Sequence, residues 1–203
     1  MKKLIAGAAV VGLLVVLGAS GYTAEAQGLT AKGVKLGLNI ATMAGDDVPS
    51  DAKSKVGVAL GGFATYSIND MFAVQPELLY TMKGYAQTYG TEDYTMSYNY
   101  LELPILGKLN VPVQGDIKPN VFLGPAFALK LASSYSDGHS GDIEDVNSLD
   151  VGLVIGVGAD MPAGTGRIGA DIRYNMGLTN VDGSDAKAKA SNSVISIMVG
   201  YSF

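Results

Sequence analysis

The sequence predicts an all-β chain, an eight-stranded antiparallel up-and-down transmembrane β-barrel. Three observations carry that prediction. The last stretch, Asn192 to Phe203, alternates strictly: Ile195, Ile197, Val199, Tyr201 and Phe203 on one parity, Ser196, Met198, Gly200 and Ser202 on the other. Such a period of two places one set on each face of a strand. Eight stretches of this kind are joined by connections that run long, short, long, short, long, short, long, the rhythm of a barrel whose two ends meet different environments. Finally, the charged residues within the strands share a parity with Gly, Ala, Ser and Asn, which sets a small polar face against a large apolar one.

The chain has 203 residues, with 27 Gly, 11 Tyr and no Cys. The absence of Cys excludes a disulfide framework, a thiolate metal site and a lipidated cysteine. Charged residues make up 16%, below the roughly 25% of ordinary soluble domains. Residues 1–26 stand apart. Lys2 and Lys3 precede an apolar run from Leu4 to Ala19, and Ala24-Glu25-Ala26 supplies small residues for cleavage, so this segment is expected to be a signal peptide. Residues 27–203 are then a single barrel domain. The whole chain carries a formal charge of −5, and an acidic exported protein is a poor partner for nucleic acid.

In order, the expected strands are Val34–Ala41, Lys55–Ile68, Met71–Tyr85, Met96–Asn110, Pro119–Ser133, Leu149–Asp160, Gly166–Leu178 and Asn192–Phe203. The first sets Val34, Leu36, Leu38 and Ile40 against Lys35, Gly37, Asn39 and Ala41. The second sets Val56, Val58, Leu60, Tyr66 and Ile68 against small residues, with Phe63 as the exception. Asn69-Asp70 makes a tight turn to the third, where Phe72, Val74, Leu78, Tyr80 and Met82 oppose Gln75, Glu77, Thr81 and Lys83. After a polar loop over 86–95, Leu101, Leu103, Ile105 and Leu109 oppose Tyr98, Tyr100, Glu102 and Lys108. The fifth strand sets Val121, Leu123, Phe127, Leu129 and Leu131 against Asn120, Gly124, Ala126, Ala128 and Lys130. The third long loop covers 134–148. Val151, Leu153, Ile155 and Val157 then oppose Asp150 and a run of Gly, and a turn over 161–165 leads to the seventh strand. There Ile168, Ile172, Tyr174 and Met176 oppose Arg167, Asp171, Arg173 and Asn175. The fourth long loop, 179–191, leads to the last strand.

A soluble lipocalin-like ligand-binding barrel would alternate too, with its apolar set inside. The inverted arrangement fits better, because an eight-stranded barrel is narrow enough for side chains to fill and the polar parity holds both signs of charge for internal pairing. Glu102 or Asp171 with Arg173 or Lys108, and Glu77 with Lys83, are candidate pairs. Tyr80, Tyr85, Tyr89, Tyr94, Tyr98 and Tyr100 gather near one long loop, as an interfacial aromatic girdle would. Pro76, Pro104 and Pro125 each remove a ladder donor in a sheet without edges, and bulges at these positions are the expected accommodation.

GVKLGLNIA at 33–41, FAVQPELLYTMKG at 72–84, YLELPILGKLN at 100–110, VFLGPAFALKL at 121–131 and IGADIRYNMGLTNV at 168–181 together resemble the outer-membrane β-barrel family that includes PorT-like proteins of Bacteroidetes-type bacteria. The resemblance covers nearly all of residues 27–203. It implies an OmpA- or OmpX-like eight-stranded barrel in the outer membrane of a Gram-negative bacterium, inserted by the barrel-assembly machinery with Phe203 similar to the usual terminal signal. It implies no reaction.

No catalytic, cofactor-binding or metal-binding residue is assigned. The single His, His139, lies in an acidic stretch, Asp137 to Asp145, whose spacing does not match an EF-hand. No G-x-S-x-G occurs, and Gly156-Val157-Gly158 opens no helix. The expected role is structural or interactive: external acidic loops contacting ligands or envelope and extracellular protein partners, with no catalysis. An accessory component of a secretion or transport complex, a small-ion pore and the soluble ligand-binding barrel are the alternatives.

Overall fold

The computed structural model describes residues 28–48, 52–89, 92–136, 140–142, 146–181 and 190–203. The expected signal peptide and His139 lie outside them. Among the described residues nine strands form: β1 Gly28–Ala44, β2 Lys53–Ser67, β3 Phe72–Tyr89, β4 Glu92–Asn110, β5 Lys118–Ser136, β6 Ser140–Asp142, β7 Leu149–Ala163, β8 Gly166–Gly177 and β9 Ser191–Ser202. Eight of these are long, and all pairings are antiparallel. β1 pairs with both β2 and β9, and β4 pairs with β5, so the sheet closes on itself. β6 is a three-residue addition to the end of β5. Closure removes the edges that an open sheet would have to protect.

The strands are longer than alternation alone marks out. β3 and β4 run to Tyr89 and from Glu92, so most of the polar loop expected over 86–95 is paired sheet. Polar side chains on both faces erase the period-two signal there, while the hydrogen-bonded ladder continues beyond the apolar band. The loop expected over 134–148 likewise begins with three further residues of β5 and contains β6. The 161–165 turn shrinks to Gly164 and Thr165, and Gly164 takes φ +63°, a conformation that favours glycine. At the Asn69 turn the side-chain oxygen accepts hydrogen bonds from the Met71 and Phe72 amides at 2.9 and 2.8 Å.

The facing is as the parity predicts. Val34, Leu36, Leu38, Ile40, Val58, Leu60, Ile155, Ile172 and Ile197 are exposed on the outer wall, Leu36 by 67%, whereas Lys35, Asn39, Glu77, Lys83, Glu102 and Arg173 are buried inside. Among the described residues no helix is long and apolar enough to cross a membrane; the strands provide the apolar surface. Glycine on the inner parity makes room for larger neighbours. The Phe122 ring lies where a Cβ on Gly156 would meet it at 2.4 Å.

Two expectations are corrected. Tyr98 and Tyr100 are not girdle residues: both are buried on the inner face, Tyr100 completely. Their odd-even position relative to Glu102 already placed them inward, and a ring in a lumen can both pack and hydrogen-bond. No bulge occurs at any of the three prolines. The register is the same on both sides of Pro76, Pro104 and Pro125, and the irregularities fall instead at Leu29/Ala31, Ser54/Ala59 and Asn99/Tyr100.

The outer wall makes a direct prediction. Leu36 sits halfway along β1, so Leu36→Arg should lower folding stability in vesicles by about 2–4 kcal/mol, the cost of a cation at mid-bilayer. A urea titration of barrel folding into phospholipid vesicles measures it.

Candidate functional site

The described feature with the greatest chemical content is the lumen, which is filled by ion pairs and hydrogen bonds in successive tiers. Nearest the short turns, the Lys108 ammonium lies 2.8 Å from Asp160 Oδ2, which also accepts from Asn120 Nδ2 at 3.0 Å. This tier closes a vestibule of about 470 Å³ lined by Thr30, Phe63, Ser67, Lys118 and Arg167 among others.

The next tier is the densest. Glu77, 1% exposed, receives Lys35 Nζ at 2.8 Å, Gln75 Nε2 at 2.8 Å and Arg173 Nη1 at 2.7 Å. Asp171 receives Lys35 at 3.1 Å and Arg173 Nε at 2.8 Å. Two cations thus meet two carboxylates, contributed by β1, β3 and β8. Lys35 also lies over the Phe63 ring and Arg173 over Phe122, at 5.2 and 5.1 Å from the centroids. Above this, Ser196 Oγ donates to Asn39 Oδ1 and Asn39 Nδ2 donates to Thr81 Oγ1, both at 2.8 Å.

In the half towards the long connections, Lys83 stands 2.6 Å from Glu102 and 3.4 Å from Asp150. Asn175 donates to Glu102 at 3.0 Å, and Thr179 and Asn192 donate to Asp150 at 3.0 and 2.9 Å. Lys83 also lies 5.2 Å from the Tyr100 ring centroid. One cation here faces two acids. The tier is capped by an apolar cluster of Tyr98, Tyr100, Ala128 and Val181, with Met43, Tyr85, Met96 and Val146 packed against it. Val146 and Val181 belong to the long connections, which are tied together by Asn147 N donating to Val181 O at 2.9 Å.

The sequence placed the right residues inside, and the structure assigns their partners. Asp171 does pair with Arg173. Glu77 pairs with Lys35 and Arg173 rather than with Lys83, and Glu102 pairs with Lys83 rather than with Arg173 or Lys108. The register explains the difference. Lys83 lies opposite Tyr98, on the far side of Thr81 from Glu77, while Arg173 reaches Glu77 across the lumen. No local spacing encodes such a contact. Among the described residues, no group of three or more His, Asp or Glu is placed to hold a metal ion.

The outer membrane protein beta-barrel domain family matches residues 26–183. The chain belongs to this family. It is an outer-membrane β-barrel protein, and the lipid bilayer is the medium its apolar wall meets. Among solved structures, Neisserial surface protein A is 19% identical over 85% of this chain and 97% of that one, with a TM-score of 0.51. Ail, the attachment invasion locus protein of Yersinia pestis, is 16% identical over 85% of this chain and 98% of that one, with a TM-score of 0.45. OprG from Pseudomonas aeruginosa is 12% identical over 89% and 99%, with a TM-score of 0.46. A comparison with curated proteins gives no match. At these identities the likeness is one of fold.

The Glu77 and Lys83 tiers of this outer-membrane barrel respond differently to neutralisation. Glu77→Gln strands Lys35 and Arg173 around a single remaining acid and should cost about 3–5 kcal/mol, as for a broken buried pair. Asp150→Asn leaves Lys83 balanced by Glu102 and should cost only about 1 kcal/mol. Unfolding midpoints of the two variants in the same detergent check the order.

Proposed function

We propose that the protein is a closed outer-membrane scaffold that acts through its external connections, contacting ligands or envelope and extracellular protein partners without catalysing a reaction. The observation that carries this reading is the filled lumen. Between the Arg173 and Lys83 tiers the remaining cavity is about 10 Å³, space for about one water molecule, and it is lined by Asn39, Thr81, Lys83, Glu102, Arg173 and Ser196. An ion crossing here would have to displace paired charges whose separation is costly. The docked cap of Val146 and Val181 leaves the external connections as the surface offered to partners, and loops on a rigid barrel are where recognition residues concentrate.

In the same reading residues 1–26 are removed on export, residues 27–203 form the mature barrel, the barrel-assembly machinery inserts it, and it is akin to the PorT-like proteins. The competing roles are a small-ion pore and an accessory of a transport complex. Purified barrel in planar lipid bilayers tests the first: no discrete conductance steps are expected for the native chain. Reproducible steps that disappear in a charge-altered Glu77 variant would overturn the closed-scaffold reading in favour of a pore.

A further inference from the structure

The three intramembrane prolines remove donors in a connected order. Ile68 N donates to Phe72 O across the β2–β3 seam, Asn110 N to Met71 O across β3–β4, and Val111 N to Pro119 O across β4–β5. Hydrogen-bonded and non-bonded pairs alternate along an antiparallel ladder, so these bonds fix which residues exchange bonds further along each seam. With the unbroken register, the hydrogen-bonding positions of the ladder set Ala64 opposite Pro76, Glu77 opposite Pro104 and Ile105 opposite Pro125. In every one of these pairs the proline has no N–H to give. The carbonyls of Ala64, Glu77 and Ile105 are therefore left without a ladder donor.

The three gaps form a staircase. Pro76 and Glu77 are adjacent in β3, and Pro104 and Ile105 are adjacent in β4, so each missing rung begins where the previous one ends. Apart from the register shifts at Leu29/Ala31, Ser54/Ala59 and Asn99/Tyr100, the cross-strand pairing is interrupted at the same places: at 64–65 against 75–76, at 77–78 against 103–104, and at 105–106 against 124–125. The pairings of β1 with β9, β5 with β7, β7 with β8 and β8 with β9 run without a break. At Ile105 the backbone of Gly124 closes in, and a Cβ there would come within 2.0 Å of the Ile105 oxygen. The glycine lets its Cα–H stand where the missing N–H would have been, a weaker substitute.

We propose that the barrel wall yields along this fixed diagonal from Ala64 to Pro125, so that β2 to β5 open locally at mid-membrane while β7, β8, β9 and β1 stay zipped. In hydrocarbon an unpaired carbonyl has no water to satisfy it, so the folded seam gives up less on opening than any other and draws water when it opens. Behind it lies Glu77, the hub of the densest ion-pair tier. The staircase thus places the weakest backbone beside the strongest side-chain network, which holds the wall shut.

Amide hydrogen exchange on the folded barrel in lipid nanodiscs tests this. Peptides covering 74–80, 102–108 and 122–128 should exchange at least tenfold faster than those covering 168–174 and 194–200. Pro125→Val, on the outer face, and Pro104→Val, on the inner face, each restore one donor; each should slow exchange in its own seam severalfold and raise the unfolding midpoint. Uniform exchange around the barrel would overturn the proposal. So would restored donors that leave exchange in their seams unchanged in a variant that still folds.

Discussion

The carboxylate of Glu77 is the contact on which the rest of the structure depends. It ties β3 to β1 through Lys35 and to β8 through Arg173, and Asp171 closes the ring. A buried charge without partners is prohibitively costly, so once Glu77 is inside, Lys35 and Arg173 must be inside as well. Their strands are fixed in register by the same requirement, because a one-residue slip would carry every charge to the lipid face. The charged tiers therefore specify which way the wall faces, while the apolar wall provides the surface the bilayer accepts.

The interior is built from small residues and the exterior from large ones, the reverse of a soluble barrel. An eight-stranded lumen has little volume; glycine and alanine leave space for Lys, Arg and Phe side chains to cross it. Phe122 illustrates the economy, lying against Gly156 on one side and under the Arg173 guanidinium on the other. The charged tiers and the apolar cap of Tyr98, Tyr100 and Val181 have one common consequence: beyond the vestibule the lumen is occupied by paired and packed side chains.

Much of this was legible in the residues. Alternation over Val34–Ala41 of β1 and Ile195–Ser202 of β9 gave strand, face and partner environment together, because each inner position there is Lys, Gly, Asn, Ala, Ser or Met and each outer one is large and apolar. What alternation could not resolve was extent, since the paired ends of β3 and β4 project beyond the apolar band and carry polar residues on both faces. Tyrosine misled for a related reason: Tyr98 and Tyr100 suit an interface and a polar lumen equally well, and only parity separates the two. The ion-pair partners were illegible because Arg173 and Glu77 are 96 residues apart, and their meeting depends on closure of the whole sheet. A proline in a closed sheet asks for a bulge, whereas this ladder tolerates three missing donors without changing register.

The most direct test of the inside-out wall uses the absence of tryptophan from the chain. Leu36→Trp, Val58→Trp, Ile155→Trp and Ile197→Trp each place one fluorophore on the outer face at a different point around the barrel. In vesicles containing lipids brominated near the middle of the acyl chain, all four should be strongly quenched. Emission that resists quenching at all four sites in the folded protein would contradict the account, since the apolar parity would then be shielded from lipid rather than immersed in it.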